Sequence, residues 1–152
     1  MGWCRKMIKM TEARANEMMD AGYHCSQVVA CHIAECMGLN AEEQMRLTAG
    51  LGGGCNHGDT CGVISAGILA LGRVYGFDHY TEEQDTLLKD KVREFQAKFI
   101  EKHGATLCRE LLENYDMADP DRVSTDTTWE NCGKYCEDAC AILDEMIGEF
   151  YQ

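Results

Sequence analysis

Proline is nearly missing from this chain: Pro120 is the only one in 152 residues. Proline is the residue that most reliably stops a helix, so little interrupts a helical pattern. Val, Ile and Thr never cluster into alternating runs, which removes the usual signal for strands. Basic residues are also scarce, with 14 Lys and Arg against 26 Asp and Glu, a formal net charge of −12. Nucleic acid and anionic membranes both need Lys and Arg to displace their counterions, so neither is an expected partner. The longest apolar run, Gly62 to Gly72, falls far short of the roughly 20 residues that span a bilayer. In the opening "MGWCRKMIKMTEARANEMM", charge interrupts the chain before an export signal could build its apolar core. Lys6 stands where a myristoylation pattern needs Ser or Thr. The expectation is a soluble cytoplasmic protein without membrane insertion.

A further absence concerns cysteine spacing. The chain holds ten cysteines, yet no C-x-x-C pair. That argues against zinc ribbons, thioredoxin-like chemistry and bacterial ferredoxin patterns, which rely on such pairs. Thiols in a reducing compartment are poor evidence for a disulfide framework. Metal or iron–sulfur ligation, thiol redox chemistry and simple packing remain.

The pattern predicts an all-α, single-domain bundle of about six to seven helices across residues 1–152, with no repeat or linker. A first helix is expected from about Lys6 to Asp20, and a second from near His24 to Gly38. Asn40 caps a short third, with Glu42 and Glu43 in its first turn. The fourth is expected from about Thr60 to Tyr75, capped by Asp59 or Thr60. A fifth starts at a Thr81/Gln84 capping box, carries the stripe Leu88, Val92, Phe95 and Phe99, and ends at Gly104. A sixth covers about Thr106 to Asn114. After the loop "YDMADPDRVSTD", a Thr127/Glu130 capping box opens the last helix, to about Ile147. Gly62, Ala66 and Ala70, with Gly67 and Leu71 beside them, give the fourth helix a small-residue face that predicts a buried central position.

The stretch "LTAGLGGGCNHGDTCGVISAGILALG" invites a phosphate-loop reading. Gly53, Gly58 and Thr60 fall in register with G-x-x-x-x-G-K-[ST], but Asp59 occupies the lysine position and would repel phosphate. The preceding "EEQMRLTAG" is helical in character, and Cys55 spoils a G-x-G-x-x-G match. The glycines are better explained as bringing backbone close to Cys61.

Sorting the cysteines by position is more informative. Cys25, Cys61, Cys108 and Cys132 each fall at or near the start of an expected helix. Free N–H groups and the helix dipole favour thiolate there, the form that binds metal or attacks a disulfide. Were those helix starts to converge, they would form a four-thiolate centre. Cys31 reads as packed, and Cys36 lies about three turns beyond Cys25 on the same face. Cys132, Cys136 and Cys140 form an i, i+4, i+8 stripe, in which packing is the better reading of Cys136 and Cys140. Cys55 and Cys61 are near enough in sequence for a local disulfide or a shared site. Cys4 has no assignable role. His24 and His57 flank candidate cysteines and could tune them.

On the segments "GYHCSQVV", "GLGGGCNHGDTCGVISAG", "HGATLCREL" and "CGKYCEDACAILDEM", the chain resembles the C-GCAxxG-C-C family of redox-active proteins. The resemblance covers nearly the whole chain and selects the same Cys25, Cys61, Cys108 and Cys132. Val63 departs from the family's alanine, and its last glycine is shifted by one, at Gly67. The family is similar to the cluster-binding part of split-Soret cytochromes c, which implies an iron–sulfur centre. No C-x-x-C-H haem motif occurs.

The leading expectation is a redox protein in which Cys25, Cys61, Cys108 and Cys132 ligate an iron–sulfur cluster of the [2Fe–2S] type. Gly53, Gly54 and Gly62 would let backbone N–H groups approach its sulfurs. It would serve electron transfer or redox sensing with a redox partner protein, and aerobic purification would leave it without the cluster. The related cytochromes and the apolar fourth helix suggest a homodimer. The rival readings are a cofactor-free thiol–disulfide oxidoreductase using the same cysteines, and a structural zinc protein or helical binding module.

Overall fold

The computed structural model describes residues 8–112 and 131–152. Within them the chain forms α1 (Glu12–Asp20), α2 (Cys25–Met37), α3 (Ala41–Thr48), α4 (Gly62–Tyr75), α5 (Glu82–His103), α6 (Cys108–Leu111) and α7 (Cys132–Ile147). No strand is present among the described residues; an isolated bridge pairs Thr60 with Leu107. No helix of the described residues is long and apolar enough to cross a membrane.

Local chemistry sets most of these boundaries. Asn40 accepts from the Glu43 N–H at 2.9 Å, and Gly38 and Gly104 close α2 and α5 in the left-handed conformation. The first helix is shorter than the pattern predicts. Thr11 caps it by accepting the Arg14 N–H at 3.1 Å, so it begins at Glu12. Only half of the Thr81/Gln84 box forms. Thr81 accepts the Gln84 N–H, while the Gln84 side chain donates instead to the Tyr75 carbonyl at 2.7 Å. Asn114, Lys6, Cys4 and the Thr127/Glu130 box lie outside the described residues.

The helices assemble around α4, which contacts α2, α5 and α7. Its small-residue face is buried from Gly62 through Leu71, as the sequence pattern predicts. Phe95 and Phe99 of α5 are fully buried, each contributing about 1.5–3 kcal/mol by removing its ring from water. The Phe95 ring tip occupies the space that a side chain at Gly67 would need. Helices α2 and α7 lie parallel, since Cys136 reaches the Cys25 carbonyl and Asp144 reaches His32 in the same order along both. α1 runs against α7, its Glu12 N–H donating to Glu137 at 2.6 Å.

The contact between Gly67 and Phe95 gives a stability prediction. Gly67→Ala drives a methyl into a buried ring, and overpacking of this kind costs about 1–3 kcal/mol. At Gly72, in the same helix, an added Cβ meets nothing within 4 Å, so Gly72→Ala is expected to stabilise by about 0.5–1 kcal/mol. Urea unfolding of both variants reads the difference, and equal effects would contradict this packing.

Candidate functional site

The loop between α3 and α4 sets up the site. After a 3₁₀ turn at Ala49–Leu51, the backbone turns left-handed at Gly53, Gly54, Cys55, Asn56 and Gly58, with φ between 55° and 70°. Glycine tolerates that region freely, whereas Cys55 and Asn56 hold it at a cost of order 1–3 kcal/mol each. Asn56 recovers part of this by donating to the Gly50 carbonyl at 3.2 Å.

Emerging from the turn, the chain pairs with the segment that precedes α6. The Cys61 N–H donates to the Thr106 carbonyl at 2.8 Å, and the Cys108 N–H to the Asp59 carbonyl at 2.7 Å. These two hydrogen bonds fix Cys61 beside Cys108. The expected cap is corrected here: neither Asp59 nor Thr60 caps α4, because Cys61 is itself the N-cap residue. Asp59 instead meets Arg109 at 3.1 Å and His57 at 3.1 Å on the exposed side, and Thr60 takes the bridge to Leu107. Cys25 and Cys132 are the first residues of α2 and α7, and Cys108 opens α6.

All four cysteines are buried, each 4–5% exposed. Charge on Cys25 is felt by the other three. The Cys61 thiol hydrogen-bonds to the Cys25 sulfur and pulls its pKa down. Burial pushes the other way, but the N–H groups of Gly53, Ser26 and Gly62 reinforce the thiolate. Cys61, donor in that bond and buried, is pushed well up, further raised by charge on Cys25 and Cys108. Burial and charge on Cys25 push Cys108 up to about 12. Cys132 is raised by burial and by charge on Cys25 and Cys108. The N-terminus of α4 thus serves the sulfur of the neighbouring helix.

The glycines lie against Cys25 and Cys108, where the sequence pointed to Cys61. A Cβ at Gly62 would stand 2.7 Å from the Cys25 sulfur, and one at Gly54 would stand 2.8 Å from the Cys108 Cβ. Gly53 and Gly62 supply N–H groups to Cys25, so the backbone approach is made to Cys25 and Cys108 more than to Cys61.

The other cysteines differ in their surroundings, and Cys136 adjoins this group. Cys55 is exposed while Cys61 is buried, and both are free thiols. Cys136 is fully buried, with its thiol directed at the Cys25 carbonyl at 3.8 Å. Cys31 sits by Glu35 at 3.6 Å, and Cys140 is fully buried in the core. His24 is exposed at the N-cap of α2, with its ring where a side chain at Gly52 would go. Sequence reasoning passed over His32 and Asp144, which meet at 2.7 Å in the interior. The visible signal was the i, i+4 spacing of His32 and Cys36; the 112-residue separation of the pair hid the rest.

A family model described as "Putative redox-active protein (C_GCAxxG_C_C)" matches residues 23–146. The match takes in most of the chain, and the protein belongs to that family. No curated protein and no solved structure matches.

The hydrogen-bonded pair gives a pH prediction for the reduced, metal-free chain. Cys25 is expected to ionise below the usual thiol range, and Cys61, Cys108 and Cys132 above it. Residue-resolved ¹³Cβ shifts over a pH series check the order, and Cys61→Ala is expected to move Cys25 back up. The stability gained by keeping Cys108 neutral is complete below pH 9.0 and lost as pH climbs through about 12. Alkali should therefore loosen the reduced fold.

Proposed function

We propose that this member of the C_GCAxxG_C_C family is a redox protein whose Cys25, Cys61, Cys108 and Cys132 hold an iron–sulfur cluster, in electron transfer or redox sensing. The observation that carries the reading is the donor set: four buried sulfurs from four separate elements, with charge on Cys25 felt by the other three. Four thiolates in such a place need compensating positive charge, which a metal centre supplies. Sulfur-only ligation is also the usual chemistry of iron–sulfur sites.

The N–H groups of Gly53, Ser26 and Gly62 at Cys25 are the contacts that tune a cluster's potential. When bound, the cluster supplies one-electron transfer; the chain's part is to hold it dry and to direct amide dipoles at its ligands.

A second reading rests on the Cys25–Cys61 pair. A lowered thiolate beside a protonated thiol is also the arrangement of a thiol–disulfide exchange site. The two readings differ in what they bind.

Anaerobic purification of the full chain is expected to give a brown protein with iron and acid-labile sulfide, and both should fall sharply in Cys25→Ser. Gly62→Ala, which crowds the Cys25 sulfur, is expected to lower retained iron several-fold. Gly50→Ala, which meets nothing within 4 Å, should leave it unchanged. A colourless protein without iron or sulfide after reconstitution would overturn the cluster; a reversible Cys25–Cys61 disulfide in that protein would favour exchange chemistry.

A further inference from the structure

A second set of donors converges at the far end of the α2–α7 pair. Cys36 lies 11 residues beyond Cys25, about 16 Å along the helix at 1.5 Å per residue. There, His32 Nε2 lies 2.7 Å from Asp144 Oδ1 and 3.7 Å from the Cys36 sulfur. The three donor atoms all fall within 4.8 Å of one another. His32 is fully buried, and Cys36 and Asp144 are each 9% exposed.

The geometry is unlike that of a Cys–His–Asp nucleophile. Such a triad needs the thiol on one ring nitrogen and the carboxylate on the other. Here both approach Nε2, while Nδ1 stands farther from the sulfur, at 4.0 Å. Donors converging on one point suit a bound cation instead. His32 and Cys36 share a face of α2 at i, i+4, and α7 brings Asp144 to them. The Tyr151 hydroxyl donates to Asp144 Oδ1 at 2.7 Å, the kind of outer hydrogen bond that orients a metal-bound carboxylate. Residues 151 and 152 cover the group, the Gln152 N–H donating to the Cys36 carbonyl at 3.0 Å.

We propose that His32, Cys36 and Asp144 form a second metal site, separate from the four-cysteine group, that takes a divalent zinc ion. One imidazole, one thiolate and one carboxylate are all zinc ligands, and such a mixed N, S and O set is poorly matched to calcium or magnesium. The charges also balance: one thiolate and one carboxylate neutralise Zn²⁺, so the occupied site buries no net charge. Three protein ligands leave a fourth tetrahedral position for water or the Tyr151 hydroxyl. The site does not depend on what the four cysteines hold.

The test uses the reduced full chain, stripped with chelator and loaded with two equivalents of zinc. A variant with Cys25, Cys61, Cys108 and Cys132 all changed to Ser is expected to retain one zinc. X-ray absorption at the zinc edge should then show a single sulfur neighbour with nitrogen and oxygen. On that background Cys36→Ser should remove the sulfur, and Asp144→Asn should weaken zinc binding at least tenfold. Should the fourfold variant fail to fold, the native chain decides. Two bound zinc ions with a mixed sulfur and nitrogen/oxygen environment support the site. No zinc in the fourfold variant, or an all-sulfur environment in the native chain, overturns it and leaves His32–Asp144 as a bare buried pair.

Discussion

Burial of sulfur is the constraint on which this fold turns. A thiol taken out of water resists ionisation, and Cys108 and Cys132 are held neutral chiefly for that reason, Cys61 first by its hydrogen bond to Cys25 and then by burial. One sulfur escapes. Cys25 accepts hydrogen bonds from the Cys61 thiol and from the amides of Gly53, Ser26 and Gly62, enough to outweigh its own burial. The group is therefore asymmetric, with one thiolate supported and three thiols that resist ionisation. The architecture follows: α2, α4, α6 and α7 each deliver a cysteine at or next to their first residue, where free amides are available.

The glycine-rich stretch serves this arrangement through shape. Five left-handed residues, Gly53 to Asn56 and Gly58, reverse the chain tightly, so that Asp59 and Cys61 can pair with residues 106–108. Gly62 and Gly54 then hold backbone against the sulfur of Cys25 and the Cβ of Cys108. The strain at Cys55 and Asn56 persists because the pairing on either side fixes the turn.

Much of the fold could be read from sequence because its signals are local. Asn40, Gly38, Thr81 and Gly104 act within one turn of themselves, and the small residues of α4 announce a close helix approach. The four cysteines were legible for the same reason, as each sits beside a helix start. Errors arose where a long-range partner outbid a local one. Asp59 has the side chain of an N-cap but spends it on Arg109, 50 residues away; Gln84 gives up its box for Tyr75. Nor could the pattern say which sulfur the glycines approach, since Gly62 touches Cys25 across 37 positions in the chain and only the packing of α4 on α2 decides it.

The parallel course of α2 and α7 explains why one bundle can carry two unlike donor groups. Parallel helices bring residues together in the same order, so the pairs Cys25–Cys136 and His32–Asp144 mark successive levels of one seam. At the α4 end of that seam, amides and glycines crowd sulfur alone. At the other end, the interior is closed by Tyr151 and Gln152. A carboxylate and an imidazole can be buried there because each satisfies the other. Cys136, at the first level, and Cys140, between the two, are fully buried and raised chiefly by that burial, filling the seam as small apolar groups. The seam thus keeps a soft, sulfur-only donor set apart from a mixed one, and this separation of donor chemistry, more than the number of cysteines, is what the two proposed sites rest on.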